Sequence, residues 1–254
     1  MSDRKAFGMS GPSPTLKGRL AGVVNALLRP MKIRLERIRT HPTLFHRALK
    51  DCPHPFIVEV GAFYPGHTVE KVRADGHDAG FILFEPSSFG FEGLQRAYGG
   101  DSHITVERFA VSDFDGEITF SENDYGGASS VLPMADEARK EYPWMSRTRQ
   151  TTVPCVRLDS YFRQHPARDI DLLVVDVQGF EDRVLRGASD TLRRTRRCIV
   201  EVSVMSSYEG GARPETTLQL MTDAGFDIVG NALVWGSGAT GDLWELDVLF
   251  ERVR

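Results

Sequence analysis

Apolar residues fall along this chain in short runs separated by longer stretches of helical spacing. Strand-length runs occur at 56–60 (F-I-V-E-V), 81–85 (F-I-L-F-E), 104–109, 170–176 (I-D-L-L-V-V-D) and 197–203. They are nearly continuous rather than alternating, the pattern of strands covered on both faces. Between them, 66–74, 88–98, 180–194 and 214–224 read as helices. Strand and helix in alternation predict an α/β fold with a mostly parallel sheet and helices on both faces. The chain closes with F-D-I-V-G and L-W-E-L-D-V-L-F around the glycine-rich stretch 236–241, which reads as a terminal hairpin.

Two segments break that rhythm. Residues 1–50 cannot make a domain alone and read as a helical extension of the α/β domain at 51–254. Residues 1–14 are polar and rich in Gly and Pro and are expected to be disordered. Leu16, Leu20, Val23, Val24, Leu27 and Leu28 lie near helical spacing, Pro30 interrupts them, and a second helix is predicted at about 31–50. Such an extension caps a sheet or helps form a homodimer. The second segment is an insertion at 115–164, between the third and fourth core strands. It predicts a short strand at 117–120, a loop at 123–133 and a polar stretch with Tyr142, Trp144 and Met145. A strand at 152–156 and a helix at 158–165 complete it. Insertions of this length are often lids.

The chemistry concentrates where the first two strands end. The first runs into V-E-V-G-A-F-Y-P-G, with Gly61, Ala62 and Gly66 forming a turn into a helix, and the second ends at Glu85. This is how an α/β sheet builds an adenosine pocket. The turn lets a ligand approach the backbone, and a carboxylate closing the second strand can accept hydrogen bonds from both ribose hydroxyls. A dinucleotide turn reads G-x-G-x-x-G, and its middle glycine makes room for pyrophosphate; Phe63 stands there instead. A bulky side chain argues against NAD or FAD and for a nucleoside without phosphates, of which S-adenosylmethionine is the obvious one. The free N–H groups of the following helix, begun by His67 and Thr68, would meet its methionine carboxylate. Glu59 reads either as a contact to that amino-acid end or as a strand-end carboxylate meeting a backbone N–H. Pro86 and Ser87 follow Glu85, and the Ser87 hydroxyl reads as a cofactor contact or as a helix cap.

Composition narrows the setting. No apolar stretch approaches the ~20 residues that cross a bilayer, and no secretory leader is evident, so a cytoplasmic location is expected. Cys52, Cys155 and Cys198 fit neither a disulfide framework nor a zinc pattern. Residues 1–50 hold eleven Lys/Arg against only Asp3 and Glu36, although the whole chain has a net charge of −4. A basic arm of this kind touches an anionic membrane surface or substrate, or packs on an acidic body, its own or a second subunit's. No nucleic-acid partner is expected.

Several landmarks stand in order: V-E-V-G-A-F-Y-P-G-H-T, F-E-P-S at 84–87 and A-V-S-D-F-D-G-E-I-T-F at 110–120. S-S-V-L at 129–132, V-P-C-V-R-L-D at 153–159 and I-D-L-L-V-V-D-V-Q-G-F-E-D-R-V-L-R-G-A at 170–188 follow. The set, over roughly 56–230, resembles the FkbM family of S-adenosylmethionine-dependent methyltransferases. The resemblance implies a Rossmann-like, seven-stranded class I methyltransferase fold. It also implies transfer of a methyl group to a hydroxyl of a small-molecule or saccharide acceptor: a sugar, glycolipid or polyketide-like natural product. It places Ala110, Val111 and Ser112, at the end of the third strand, beside the adenine. Family members often carry Lys in the fourth strand and Glu before its glycine, where this chain has Val174 and Gln178.

Asp176, at the carboxyl end of the fourth strand, faces the crevice where α/β sheets bind ligands. An alcohol is a poor nucleophile at neutral pH, so a base there is worth typically ~10²–10⁴-fold. Glu201, at the end of the fifth strand, is expected near Asp176, and His67 is an alternative base. Two carboxylates at adjacent strand ends suit Mg²⁺, but no third ligand is evident, so no metal site is assigned. Glu181 reads as facing the site or complementing a helix N-terminus. Tyr125, Tyr142 and Trp144 read as acceptor-stacking residues or as the insertion's own core. Two rival readings stand against the methyltransferase: a nucleotide-dependent oxidoreductase, and a non-catalytic cofactor-binding module acting through a membrane or partner.

Overall fold

The structure, a computed structural model, describes residues 43–63, 67–123, 127–141, 143, 148–236 and 243–253. The helix expected at 16–28, the part of the helix expected at 31–50 that precedes residue 43, the aromatic residues Tyr125, Tyr142 and Trp144, the turn residue Gly66 and most of the loop at 236–241 therefore lie outside it; Leu44–Leu49, within the second expected helix, is helical.

The main sheet is built from β1 (Phe56–Val60), β2 (Gly80–Phe84), β3 (Ile104–Glu107), β7 (Ile170–Val175), β8 (Thr195–Ser203), β9 (Phe226–Gly236) and β10 (Leu243–Arg252). Its order is β3-β2-β1-β7-β8-β10-β9. The first five of these are parallel, and only β10, paired to β8 and β9, runs antiparallel. Both faces are covered, which explains the unbroken apolar runs. Ile57, Leu83 and Leu172 pack with helix α1 (Leu44–Leu49), α2 (His67–Ala74) and α3 (Ser88–Tyr98). Val58, Phe84 and Leu173 face the other way, toward α5 (Leu158–Gln164), α6 (Glu181–Arg186), α7 (Ser189–Arg193) and α8 (Pro214–Asp223). The three cysteines are free and buried. No helix among the described residues is long and apolar enough to cross a membrane.

Three expectations need correcting. The third core strand ends at Glu107, and Ala110–Val111 form a separate strand, β4. β4 leaves the main sheet to pair with β6 (Thr148–Val156), which also pairs with β5 (Gly116–Asn123), so the insertion carries a three-stranded sheet of its own. Its strands are longer than the apolar pattern suggested, because most of their outward positions are polar and exposed. One more helix, α4 (Asp136–Glu141), lies within it. The long helix expected at 180–194 is two short ones. At Gly187 the chain passes so close to the Ser112 carbonyl that a Cβ would lie 2.0 Å from its oxygen. Asp159 accepts the freed N–H groups of Asp190 and Thr191 at 3.0 and 2.8 Å, and α7 restarts there.

Candidate active site

The site forms where the sheet order reverses, with β1 flanked by β2 on one side and β7 on the other; ligands of open α/β sheets bind at such switch points. Gly61 ends β1 with φ +88°, and a Cβ there would lie 1.8 Å from the Asp176 carbonyl oxygen. Only glycine therefore permits this approach. The Gly61 and Ala62 N–H groups both donate to the Phe84 carbonyl at 3.0 Å, and the Asp176 N–H donates to the Val60 carbonyl at 3.1 Å. These bonds tie the ends of three strands together around a cavity of ≈ 390 Å³, within the usual range of small-molecule sites. Gly61, Phe63, Glu85, Pro86, Ala110, Val111 and Asp176 all line it. The insertion contributes Phe120, Gly127, Ser129 and Val131, and the segment after β7 contributes Gln178 and Phe180.

Glu85 is buried at the second strand's end, and its Oε1 accepts the Ser87 N–H at 2.7 Å. Burial raises its pKa to about 7 against the lowering by Ser87. Gly90 makes room for it: a Cβ there would stand 2.7 Å from the Glu85 carboxyl carbon. The Ser87 hydroxyl accepts the Gly90 N–H at 3.1 Å and thus caps α3 instead of lining the cavity.

Glu59 is also buried, on the face covered by α2. Its partner is not a backbone N–H but the Thr68 hydroxyl, which donates to Oε1 at 2.5 Å, while Oε2 has no partner among the described residues. Burial lifts its pKa to about 7, with Thr68 pulling the other way. A buried carboxylate oxygen left unpaired is costly unless a ligand or water reaches it.

A group of carboxylates surrounds Asp176. Gln178 donates through Nε2 to Asp176 Oδ1 at 2.9 Å and to Glu201 Oε2 at 3.3 Å, and its Oε1 accepts the Tyr208 hydroxyl at 3.0 Å. Burial raises the pKa of both acids, and for Glu201 the charge of Asp176 adds to it. Glu245 and Asp247, on β10, are pushed to about 7 and about 6, again chiefly by burial. Glu181 does not enter the cavity; its Oε1 accepts the Val177 and Gly179 N–H groups at 3.1 and 3.0 Å and so fixes the turn after β7. Its pKa is raised to about 8 by burial.

The structure thus gathers most of the expected residues and sets some apart. Ala62, Glu59 and Ser112 are buried beside the cavity without lining it; the Ser112 N–H is taken by the Val156 carbonyl. Glu201 lies beside Asp176, in hydrogen-bond contact with it, and Gln178 donates to both. His67 begins α2, but its side chain lies outside the described residues. Sequence reasoning passed over Gly90, Tyr208 and the bridging role of Gln178. The signal for Gln178 was its place two residues past Asp176, next to a glycine; nothing in the linear order joins it to Tyr208.

Sequence comparison then decides the family. Residues 59–228 match the Methyltransferase FkbM domain. The chain belongs to the FkbM methyltransferase family. It is 26% identical over 202 residues to "2-O-methyltransferase NoeI" of Sinorhizobium fredii, covering 77% of this chain and 81% of that protein. Among solved structures, the FkbM methyltransferase of Methylobacillus flagellatus KT superposes with a TM-score of 0.50 at 14% identity, over 78% of this chain. The match spans 44% of that longer chain, and the likeness is one of fold. Magnesium protoporphyrin IX methyltransferase from Synechocystis, solved with bound SAM, gives a TM-score of 0.46 at 10% identity, over 96% of this chain and all of that one. The FkbM domain contains the whole site, from Glu59 through Glu201.

Proposed function

We propose that this FkbM methyltransferase uses S-adenosylmethionine to methylate a hydroxyl of a sugar, glycolipid or polyketide-like natural product. One observation carries the reading: a single cavity has a buried carboxylate for a ribose diol, Glu85, and a second carboxylate, Asp176, on its wall, with Phe63 where a dinucleotide turn would need glycine. The name of the relative NoeI, a 2-O-methyltransferase, supports a hydroxyl acceptor.

The residues fit the cofactor. Glu85 would hold the ribose hydroxyls, Ala110 and Val111 offer an apolar wall for the adenine, and the turn at Gly61 brings backbone close to the amino-acid end. The orphaned Oε2 of Glu59 is a partner in waiting for an ammonium group or a bridging water. When bound, S-adenosylmethionine supplies an electrophilic methyl group on its sulfonium. Asp176 accepts the proton that the acceptor hydroxyl gives up, and its raised pKa makes it a stronger base than an ordinary carboxylate. The insertion residues Phe120, Gly127, Ser129 and Val131 form one wall of the cavity. Gln178 Nε2 stands between Asp176 and Glu201, so an N–H donor joins this pair where a cation would otherwise be needed; activity is expected to survive EDTA.

Calorimetric titration with S-adenosylhomocysteine and with NADH tests the reading. Heat with the first is expected. No heat with it, alongside a clear signal with NADH, overturns the assignment.

A further inference from the structure

Gln178 is the one described non-glycine residue with positive φ, +58°, a conformation that costs about 1–3 kcal/mol and is kept only where the surroundings enforce it. Every hydrogen-bonding group beyond its backbone N–H is engaged. Its carbonyl accepts the Ser130 hydroxyl at 2.8 Å, Oε1 accepts Tyr208, and Nε2 reaches Asp176 and Glu201. In this orientation the amide nitrogen faces the two carboxylates and the oxygen faces the Tyr208 phenol. Ser130 belongs to the insertion, and the Tyr208 hydroxyl also lies 3.1 Å from the Ala128 carbonyl of the same segment. One residue therefore touches the acid pair and the insertion wall together.

We infer that Gln178 is a positioning residue: its neutral amide keeps Asp176 aimed at the cavity by donating to Asp176 and Glu201 at once, and its carbonyl secures the insertion wall over that side chain. The inference rests on the cofactor reading above and adds to it a role for a residue outside the reacting atoms.

The electrostatic surroundings make the amide's neutrality matter. Around Asp176 stand Glu59 on β1, Glu181 on α6, Glu201 on β8, Glu245 and Asp247 on β10, and Tyr208, and Glu85 lines the same cavity. Burial raises the pKa of Asp176, against the lowering by the hydrogen bond from Gln178, the charge of Lys71 on α2 and a hydrogen bond with Glu201. A glutamate in place of Gln178 would fill the same space and offer no donor. One of three touching carboxyl groups would then have to keep a proton to higher pH, because like charges in contact oppose ionisation. The titration belongs to the cluster, not to any one member.

The test compares binding of S-adenosylmethionine with that of S-adenosylhomocysteine by calorimetry from pH 5.5 to 9. The two differ by the sulfonium charge, so their affinity ratio reports negative charge held beside the methyl position. In the native protein the ratio rises as the cluster ionises. In Gln178→Glu the midpoint of that rise is expected to move up by about one pH unit or more. Gln178→Asn, which tolerates positive φ and stays neutral but falls one methylene short of the carboxylates, should move it in the same direction by less. A residue that merely supports the fold would weaken both ligands together and leave the midpoint in place. Midpoints within about 0.3 unit of the native protein in both folded variants, with S-adenosylhomocysteine still bound, overturn this role for Gln178 alone. If the native protein binds no S-adenosylhomocysteine, the cofactor reading fails and the inference with it. If Gln178→Glu does not fold, the Asn variant decides.

Discussion

Glu85 and Asp176 mark the two chemical tasks of the cavity, and single substitutions separate them. Glu85 is buried, with one oxygen fixed by Ser87, so its position is set before any ligand arrives. Glu85→Ala should cost the charged hydrogen bonds to a ribose diol, about 1.5–3 kcal/mol, or roughly tenfold to more than a hundredfold in affinity for S-adenosylhomocysteine. Circular dichroism should be unchanged; equal affinity in the variant would remove Glu85 from the ribose. Asp176→Asn keeps the shape and the contact with Gln178 but loses the base. Turnover should fall by about 10²–10⁴-fold with little effect on cofactor affinity, and an unaffected rate would dismiss Asp176 from proton transfer.

Elements matter here by how closely their ends approach. The turn after β1 touches the end of β7 so tightly that the Gly61 Cα hydrogen occupies the only space available. Gly61→Ala must therefore part the two strands at the cavity floor and force a side chain into positive φ. Urea unfolding should show a loss beyond the ~1 kcal/mol typical of a point substitution, together with loss of cofactor binding. A midpoint equal to that of the native protein would mean the strand ends are not in contact. The parallel strands and α2, α3 and α8 could be read from apolar period alone, because each buries a face along its whole length. Of the small sheet, strands at 117–120 and 152–156 could be read, but neither their full lengths nor their pairing with β4. β4 and β6 meet across about 45 residues of chain, and the first half of β6 is polar and largely exposed, so the alternation that marks a strand is weak there. The break between α6 and α7 was equally hidden, since its cause is the backbone of Ser112, some 75 residues earlier.

At the scale of the molecule the gathered carboxylates set the dependence of stability on pH. Burial holds Glu59, Glu85 and Glu245 near 7, Glu181 near 8 and Asp247 near 6, whereas unfolded acids titrate near 4. The folded protein thus keeps protons that the unfolded chain has released. Between about pH 4 and 8 it binds more protons than the unfolded state, so stability falls as pH rises through those folded values. The melting temperature should decline from pH 5 to pH 8. Glu181→Gln, which still offers Oε1 to the Val177 and Gly179 N–H groups, should flatten part of that slope. A melting temperature that climbs over this interval would show that these groups are ionised in the fold.

Local order in the sequence was enough to determine the parallel α/β sheet, the glycine turn after the first strand and the acid closing the second. Each depends on residues a few positions apart, and apolar runs and glycine declare themselves at that range. Glu201 beside Asp176 was also legible, from adjacent strand ends, but the rest of the company that Asp176 keeps was decided only by the tertiary structure. The Gln178 amide, Tyr208 and the two acids of β10 reach it from strands and loops up to about 70 residues distant. Electrostatic coupling and hydrogen-bond sharing depend on separation in space, which the linear order of a chain does not encode.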